Sequence, residues 1–369
     1  MIAIVSSGHK SDDERIYHKE IKTLLNAGYN IIYFTRCNNE LNLSEKNLQH
    51  INLKQKDYSI FQFIQYIDNN LNEQTNILHI HEFELLPLLK KIKRKYLIKT
   101  IYDVHDDLRK MWDTFSTRSK VMKYLINKSL SIYEIYHLKF IDKVILANQP
   151  INNNFYKSKG LNTTIIENFP QKKFIFSSKN LSKNPTLIYH GQLSIDRGII
   201  LLIKAFELIK KKIPNVRLKI IGSSRTPKFN IILNKIINAS NVKKDIELLG
   251  EIPHSKIWLH LNKADIGILP SLNTPRVQSD TPTKLFEYMA SGCVIISTNF
   301  APTQRFLKGR GVLIKSNSIE SLYDGILCII NNRNLFYQYS KEGINVIKHQ
   351  FNWSIIEERF LNVYRDLSS

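Results

Sequence analysis

The sequence predicts an α/β protein of two doubly wound parallel-sheet domains. Short apolar runs alternate with amphipathic helical stretches along almost the whole chain, the pattern of parallel strands joined by crossover helices. That alternation lapses once, in a polar Lys/Ser/Asn-rich stretch at 171–185, and then starts again. A length of 369 residues suits two domains of ordinary size.

Ile2–Ser6 reads as the first strand, and Asp12–Ala27 as a helix closed by Gly28, a residue suited to a helix C-cap. Strands at Ile31–Thr35, Ile77–Ile80, Lys99–Asp103 and Val144–Ala147 follow, with helices between them. These elements give a first domain at 1–170, with 171–185 as a linker. The second domain, 186–351, reads as strands Thr186–His190, Val216–Ile221, Ile246–Leu249, Asp265–Leu269, Val294–Ser297 and Val312–Ile314. Its helices are Gly198–Lys212, Lys228–Ala239, His254–Asn262, Thr283–Ser291, Ile319–Asn331 and Asn334–His349. A last helix, Trp353–Leu367, fills the final segment, 352–369.

Composition narrows the class. With 43% hydrophobic and 23% charged residues, the chain is neither disordered, collagenous nor coiled-coil. Cys37, Cys293 and Cys328 are few, odd in number and far apart, which argues against a disulfide framework and for a reducing compartment. The start of the chain has no basic segment before an apolar run, and no stretch approaches the ~20 apolar residues of a membrane span. A cytoplasmic protein, peripheral on the inner face of the membrane, is expected. The net charge is +21, from 53 Lys and Arg against 32 Asp and Glu, which suits a polyanionic partner. No helix-turn-helix, zinc-finger or aromatic-basic RNA pattern appears, so nucleic acid is not expected. The basic run Lys90–Lys99 and the mixture of Ile, Tyr and Phe with Lys through Arg118–Lys143 favour an anionic membrane surface.

In doubly wound sheets, ligands bind beyond the carboxyl ends of the strands, so the residues after each strand are the candidates. After the first strand, Gly8 allows a tight turn, but Ser6-Ser7-Gly8-His9 is not a dinucleotide fingerprint. His79 and His81 share a strand face, yet no further ligand stands at a convincing spacing, and no metal is expected. His105 lies among the carboxylates of Asp103, Asp106 and Asp107 at a strand end, where it can be held in one tautomer and aimed at a substrate. Gly191-Gln192 opens the loop that Asp196-Arg197-Gly198 closes, and a guanidinium beside a helix start makes an anion site for a diphosphate. Ile221-Gly222 repeats the strand–glycine turn. In Ser279-Asp280-Thr281-Pro282-Thr283-Lys284, the helix start offers donors to a phosphate, and Glu287, one turn later, can accept from a vicinal diol such as a ribose.

These residues resemble glycosyltransferase family 4, retaining enzymes of bacterial surface-polysaccharide type with the GT-B fold: two Rossmann-like domains flanking a cleft. The resemblance covers nearly the whole chain. It rests on Gly8-His9 with Asp13, Arg15-Ile16 and Gly28-Tyr29, on His79-x-His81-Glu82 and on Tyr102-Asp103-x-His105-Asp106. In the second half it rests on Gly191–Gly198, Leu249-Gly250, Ala264-Asp265, Leu269-Pro270-Ser271 and, above all, Pro282-x-Lys284-Leu285-x-Glu287-Tyr288-Met289-Ala290-x-Gly292.

The resemblance implies transfer of a sugar from a UDP- or GDP-linked donor to a hydroxyl of a glycan or lipid-linked glycan, without a metal, in capsule, O-antigen or exopolysaccharide synthesis. It implies that Arg197 holds the diphosphate and that Glu287 binds the ribose. It places His105 near the donor sugar, Gly8 by the phosphates, and Leu249–Ile252 on the base. It gives the first domain to the acceptor, with His9, His81 and Glu82 as candidates there, and sends the closing helix back to that domain. Two departures stand out: Ser279, with Asp280 beside it, replaces a glutamate that contacts the donor sugar, and Gln192 replaces an arginine of the diphosphate clamp. They keep open a non-catalytic nucleotide-sugar-binding subunit. A sugar-nucleotide epimerase of the same fold, with Asp103 or Asp106 as base, is the other alternative.

Overall fold

The computed structural model describes the chain apart from residues 39–40, 72, 106–107, 150–154, 225, 279–280 and 369. It divides into two compact units, Met1–Asn168 with Ile356–Ser369, and Phe169–Ile355.

The first unit holds a seven-stranded parallel sheet of β1 (Ile2–Ser6), β2 (Ile31–Thr35), β3 (Leu48–Asn52), β4 (Ile77–Ile80), β5 (Lys99–Val104), β6 (Lys143–Leu146) and β7 (Thr163–Ile165). The spatial order is β3-β2-β1-β4-β5-β6-β7, so the chain reverses direction across the sheet between β1 and β4. Both faces of the central strands are covered, and β1, β2, β4 and β6 are buried along their whole length, as near-continuous apolar runs require in parallel sheets. β3 and β7 escape the sequence pattern for a physical reason. β3 reads Leu-Gln-His-Ile-Asn and is only half-buried at an edge, and β7 is three residues long at the opposite edge.

The first helix also differs from expectation. Asp13 accepts from the N–H groups of Arg15 and Ile16 at 2.8 and 2.9 Å, which holds the chain in a turn. Helix begins only at Ile16, as a π-turn over Ile16–Ile21, and continues as α-helix over Lys22–Asn26. Lys19 and Glu20 are both buried in this turn.

The second unit holds a six-stranded parallel sheet of β8 (Thr186–His190), β9 (Arg217–Ile221), β10 (Ile246–Gly250), β11 (Ile266–Leu269), β12 (Val294–Thr298) and β13 (Gly311–Ile314). Its order, β10-β9-β8-β11-β12-β13, places the reversal between β8 and β11. Tyr189, Leu202, Phe206, Leu218, Ile268, Ile296 and Ile326 meet in its core. One short helix, Ala301–Leu307, has no counterpart in the sequence pattern. The stretch 171–185, expected as a linker, is tied into this unit. Phe176 donates to the Ala290 carbonyl, Lys179 Nζ to those of Leu261 and Ala264, and Ser182 to Asp265.

The last helix, Trp353–Ser368, gives Phe360, Val363 and Tyr364 to buried positions in the first unit. There Tyr364 Oη shares a 2.7 Å hydrogen bond with His79 Nδ1, and Thr23 donates to Glu357 at 3.0 Å.

Candidate functional site

In the second unit the loops after β8, β9 and β10 lie side by side. The Gly191 N–H donates to the Ile221 carbonyl at 2.8 Å and that of Gly222 to the Gly250 carbonyl at 2.7 Å. Gln192 is partly buried in the first of these loops, its carbonyl accepting from Tyr189 Oη at 2.7 Å. Leu249 and Ile252, partly buried, flank Gly250 at the end of β10.

Helix Thr283–Ala290 is anchored through Tyr288. Its ring takes the space that a side chain at Gly267 would need, and its hydroxyl accepts from the His190 N–H at 3.1 Å. The anchor sets Lys284, one turn earlier, and the adjacent Glu287 at the end of β8, with Lys284 Nζ 5.7 Å from the centre of the Tyr189 ring and Glu287 beside His190. Thr283 is exposed at the helix start.

Glu287 is gripped by two histidines. His254 Nε2 lies 2.6 Å from Oε1, and His190 Nε2 lies 3.1 Å from Oε2. An ionised carboxylate only accepts, so His254 donates through Nε2. His190 is close enough for charge attraction but poorly aligned, and its Nε2 has no hydrogen-bond partner. Burial alone would raise the Glu287 pKa; the two histidines outweigh it and hold the carboxyl well below the usual range.

Lys284 is also shifted down, which for an ammonium favours the neutral form. Burial, with Arg197 and Arg276 nearby, pushes its ammonium down to about 7, while Glu287 and Asp196 pull the other way. Arg197 stands 3.9 Å from Asp196 through Nε, an atom that makes no hydrogen bond. One end of this sheet thus gathers Arg197, Lys284 and Arg276 beside a dipolar His190–Glu287–His254 group. Arg197, Lys284 and Glu287 were expected there. His190, His254 and Arg276 were not assigned there, because a lone histidine or arginine at a strand end, a helix start or a turn carries no spacing signal. Ser279 and Asp280 lie outside the described residues.

In the first unit, Glu82 closes the loop after β1. Its carboxylate accepts from Ser6 Oγ at 2.7 Å, the Ser7 and Gly8 N–H groups at 2.9 and 3.0 Å, and His9 Nδ1 at 2.8 Å. The Gly8 N–H, placed by resemblance near phosphates, is thus engaged by Glu82. His105, at the end of β5, has Nε2 3.1 Å from His81 Nδ1 and 3.6 Å from Asp103 Oδ1, and its ring centre is 5.0 Å from that of His9. The structure therefore brings His9, His81, Glu82 and His105 together.

Behind them lies a buried charged cluster. Arg15 meets Asp103 and Glu20 at 2.8 Å each, and donates to the Ile166 carbonyl at 2.7 Å. Burial would raise the Asp103 pKa, but Arg15 and then His105 hold it well below the usual range. At Glu20 burial prevails over Arg15 and pushes the carboxyl well above its usual range. Burial pushes His79 down to about 4 and, with His79 beside it, His81 well below its usual value, so both are neutral near pH 7.

Glu20, His79, His81 and Asp103 bring one potential ligand atom each to within 4.8 Å of one another, a set that no spacing in the sequence revealed. The Arg15 guanidinium already bridges both carboxylates, so these residues do not fit a metal ion: the arginine supplies the cationic charge the cluster needs.

Residues 170–346 match the family model for glycosyl transferases, group 1. The chain is 23% identical to an uncharacterized glycosyltransferase of Haemophilus influenzae over 96% of this chain and 97% of that one. It is 22% identical, over 49% of this chain and 48% of the other, to the lipopolysaccharide 1,2-N-acetylglucosaminetransferase of Salmonella typhimurium. The solved structure of Anabaena HepE in complex with UDP-glucose superposes with a TM-score of 0.74 at 12% identity, covering 99% of each chain. Residues 170–346 therefore carry the match to the group 1 glycosyl transferases, and the chain as a whole has the GT-B fold of the glycosyltransferases it is similar to.

Proposed function

We propose that the chain is a retaining, metal-independent transferase of family 4 type that moves a sugar from a nucleoside-diphosphate sugar to a hydroxyl of a glycan or lipid-linked glycan in surface-polysaccharide synthesis. The observation that carries this reading is the pairing of Arg197 and Lys284 with the ionised Glu287 at one end of the second sheet. A diphosphate needs the cations and a ribose diol needs the carboxylate, and Lys284 and Glu287 stand one turn apart on one helix. HepE binds UDP-glucose on the same fold, and the Salmonella relative acts on lipopolysaccharide, which supports the donor and acceptor classes.

Arg197, Lys284 and the start of helix Thr283–Ala290 would stabilise the charge that develops on the leaving diphosphate. Among the described residues we assign no side chain as nucleophile. The acceptor hydroxyl attacks from the face the diphosphate leaves, its oxygen bonds to the anomeric carbon as the C–O bond to phosphate breaks, and the departing phosphate oxygen takes the proton. His105 orients the donor sugar, and His9, His81 and Glu82 shape the acceptor side.

A peripheral site on anionic membrane fits the first unit. Helix Lys120–Leu138 exposes Val121, Tyr124 and Ile132, 60% or more each, and is flanked by lysines, among them Lys90 over the Tyr136 ring at 5.0 Å. No helix among the described residues is long and apolar enough to cross a membrane.

The test is a thermal-shift screen of UDP- and GDP-sugars, followed by transfer to lipid-linked acceptors in excess EDTA with the product's anomeric configuration read by NMR. A specific donor should raise the melting temperature and an α-linked donor should yield an α-linked product. An inverted product, or activity lost in EDTA and restored by magnesium, removes the corresponding part of the proposal.

A further inference from the structure

The His254–Glu287 hydrogen bond has a consequence for how a nucleotide would be held. His254 opens helix His254–Lys263, directly after the Leu249–Ile252 segment, and its Nε2 reaches across to Glu287 Oε1 at 2.6 Å. The ring is not loosely placed. Its edge meets Trp258, with centres 6.0 Å apart at 84°, and Trp258 stacks on Phe174 at 4.4 Å and 5°. Trp258, held by its stack on Phe174, thus backs the imidazole, and the imidazole fixes one oxygen of the carboxylate. The other oxygen faces His190, whose buried Nε2 lies within 3.1 Å.

Each carboxylate oxygen accepts two hydrogen bonds, so His254 fills one position on Oε1 and leaves the second, with those of Oε2, for a ligand. A vicinal diol presents two O–H donors at a matching separation. Without His254, the carboxylate loses the bond that fixes its rotation and its remaining acceptor positions no longer converge.

We propose that His254 is a positioning residue for the nucleotide's ribose, acting through Glu287 rather than by touching the diol. This rests on the nucleotide reading above. Glu287 then binds the diol and His254 aims it.

The test is a cycle between protein and ligand, measured by calorimetry with UDP and GDP and their 2′-deoxy counterparts. For wild type, loss of the 2′-hydroxyl should weaken binding about tenfold, the effect of losing one charge-assisted hydrogen bond. In His254→Ala the nucleotide should bind about tenfold more weakly and the 2′-deoxy penalty should shrink to about twofold. His254→Gln, which returns an N–H donor, should recover much of both. A merely structural role would weaken all four ligands equally. Binding with the same deoxy penalty in wild type and His254→Ala overturns this inference alone. If wild type binds neither UDP nor GDP, the nucleotide reading falls and this inference falls with it.

Discussion

Arg15 and Asp103 form an ion pair inside the first unit, Nη2 to Oδ2 at 2.8 Å, with side chains 4% and 0% exposed. The pair sits directly behind His105, because Asp103 also lies 3.6 Å from its Nε2. A buried carboxylate is tolerated there only because the guanidinium is present. Replacing Arg15 with Met should therefore cost about 3–5 kcal/mol, the range for removing one partner of a buried pair. Denaturant unfolding of the variant measures it, and a loss below about 1 kcal/mol would mean that Asp103 takes up a proton without penalty.

The same cluster sets an acid limit. His79 titrates at about 4 rather than 6.5 because it is buried, and His81 is also well below its usual value. Between those values the unfolded chain binds more protons than the folded one, so stability is complete above pH 6.5 and falls as pH drops toward 4. For His79 the full effect is about 3 kcal/mol. Melting temperature followed from pH 7.5 to 4.5 should decline, and the decline should be shallower in His79→Gln. A flat profile for wild type contradicts neutral buried histidines.

Lys284 makes a prediction about ligand binding. Its ammonium titrates at about 7 because of burial and neighbouring cations. A bound diphosphate favours the charged form and raises that pKa, so binding takes up a proton above pH 7. Nucleoside-diphosphate affinity should fall as pH rises from 7 to 9, and Lys284→Met should bind weakly with little pH dependence over that window. Equal slopes in the two proteins would remove Lys284 from the anion site.

Arg197→Ala tests the diphosphate clamp. If the guanidinium meets phosphate in the transition state, its loss should cost about 2 kcal/mol or more, read as a fall in kcat/KM for transfer. Unchanged kcat/KM with the correct donor would show that Arg197 serves only Asp196.

How far the sequence reveals the fold depends on burial. In the second unit, strands such as Ile266–Leu269 and Val294–Thr298 are continuous apolar runs between helices, and the expected elements match the observed ones to within a residue or two. In the first unit, Leu48–Asn52 is missed because an edge strand covered on one side need not be apolar. The π-turn at Ile16–Ile21 is missed because nothing in residue type marks one extra residue per turn. At the candidate site, Arg197, Lys284 and Glu287 were legible because they hang on glycine and helix-start punctuation. His254 and Arg15 were not, since each earns its place through a partner distant in sequence: Glu287 for one, Asp103 for the other.

Gly191 joins backbone conformation to the proposed chemistry. Its φ is 114°, in the region that side chains rarely adopt, and a Cβ placed there would lie 1.9 Å from Lys284 Cε and 2.3 Å from Nζ. The flexible end of the lysine can move, so the folding penalty of Gly191→Ala is mainly that of the backbone, about 1–2 kcal/mol. The functional penalty should be larger in proportion, because the displaced ammonium no longer stands beside Glu287 and Arg197. Nucleotide affinity should therefore fall in Gly191→Ala about as far as in Lys284→Ala, while the melting temperature drops only modestly. In the double variant the two binding losses should not add, since both remove the same ammonium from the same place. Additive losses would show that Gly191 serves the nucleotide through its own backbone rather than by making room for Lys284.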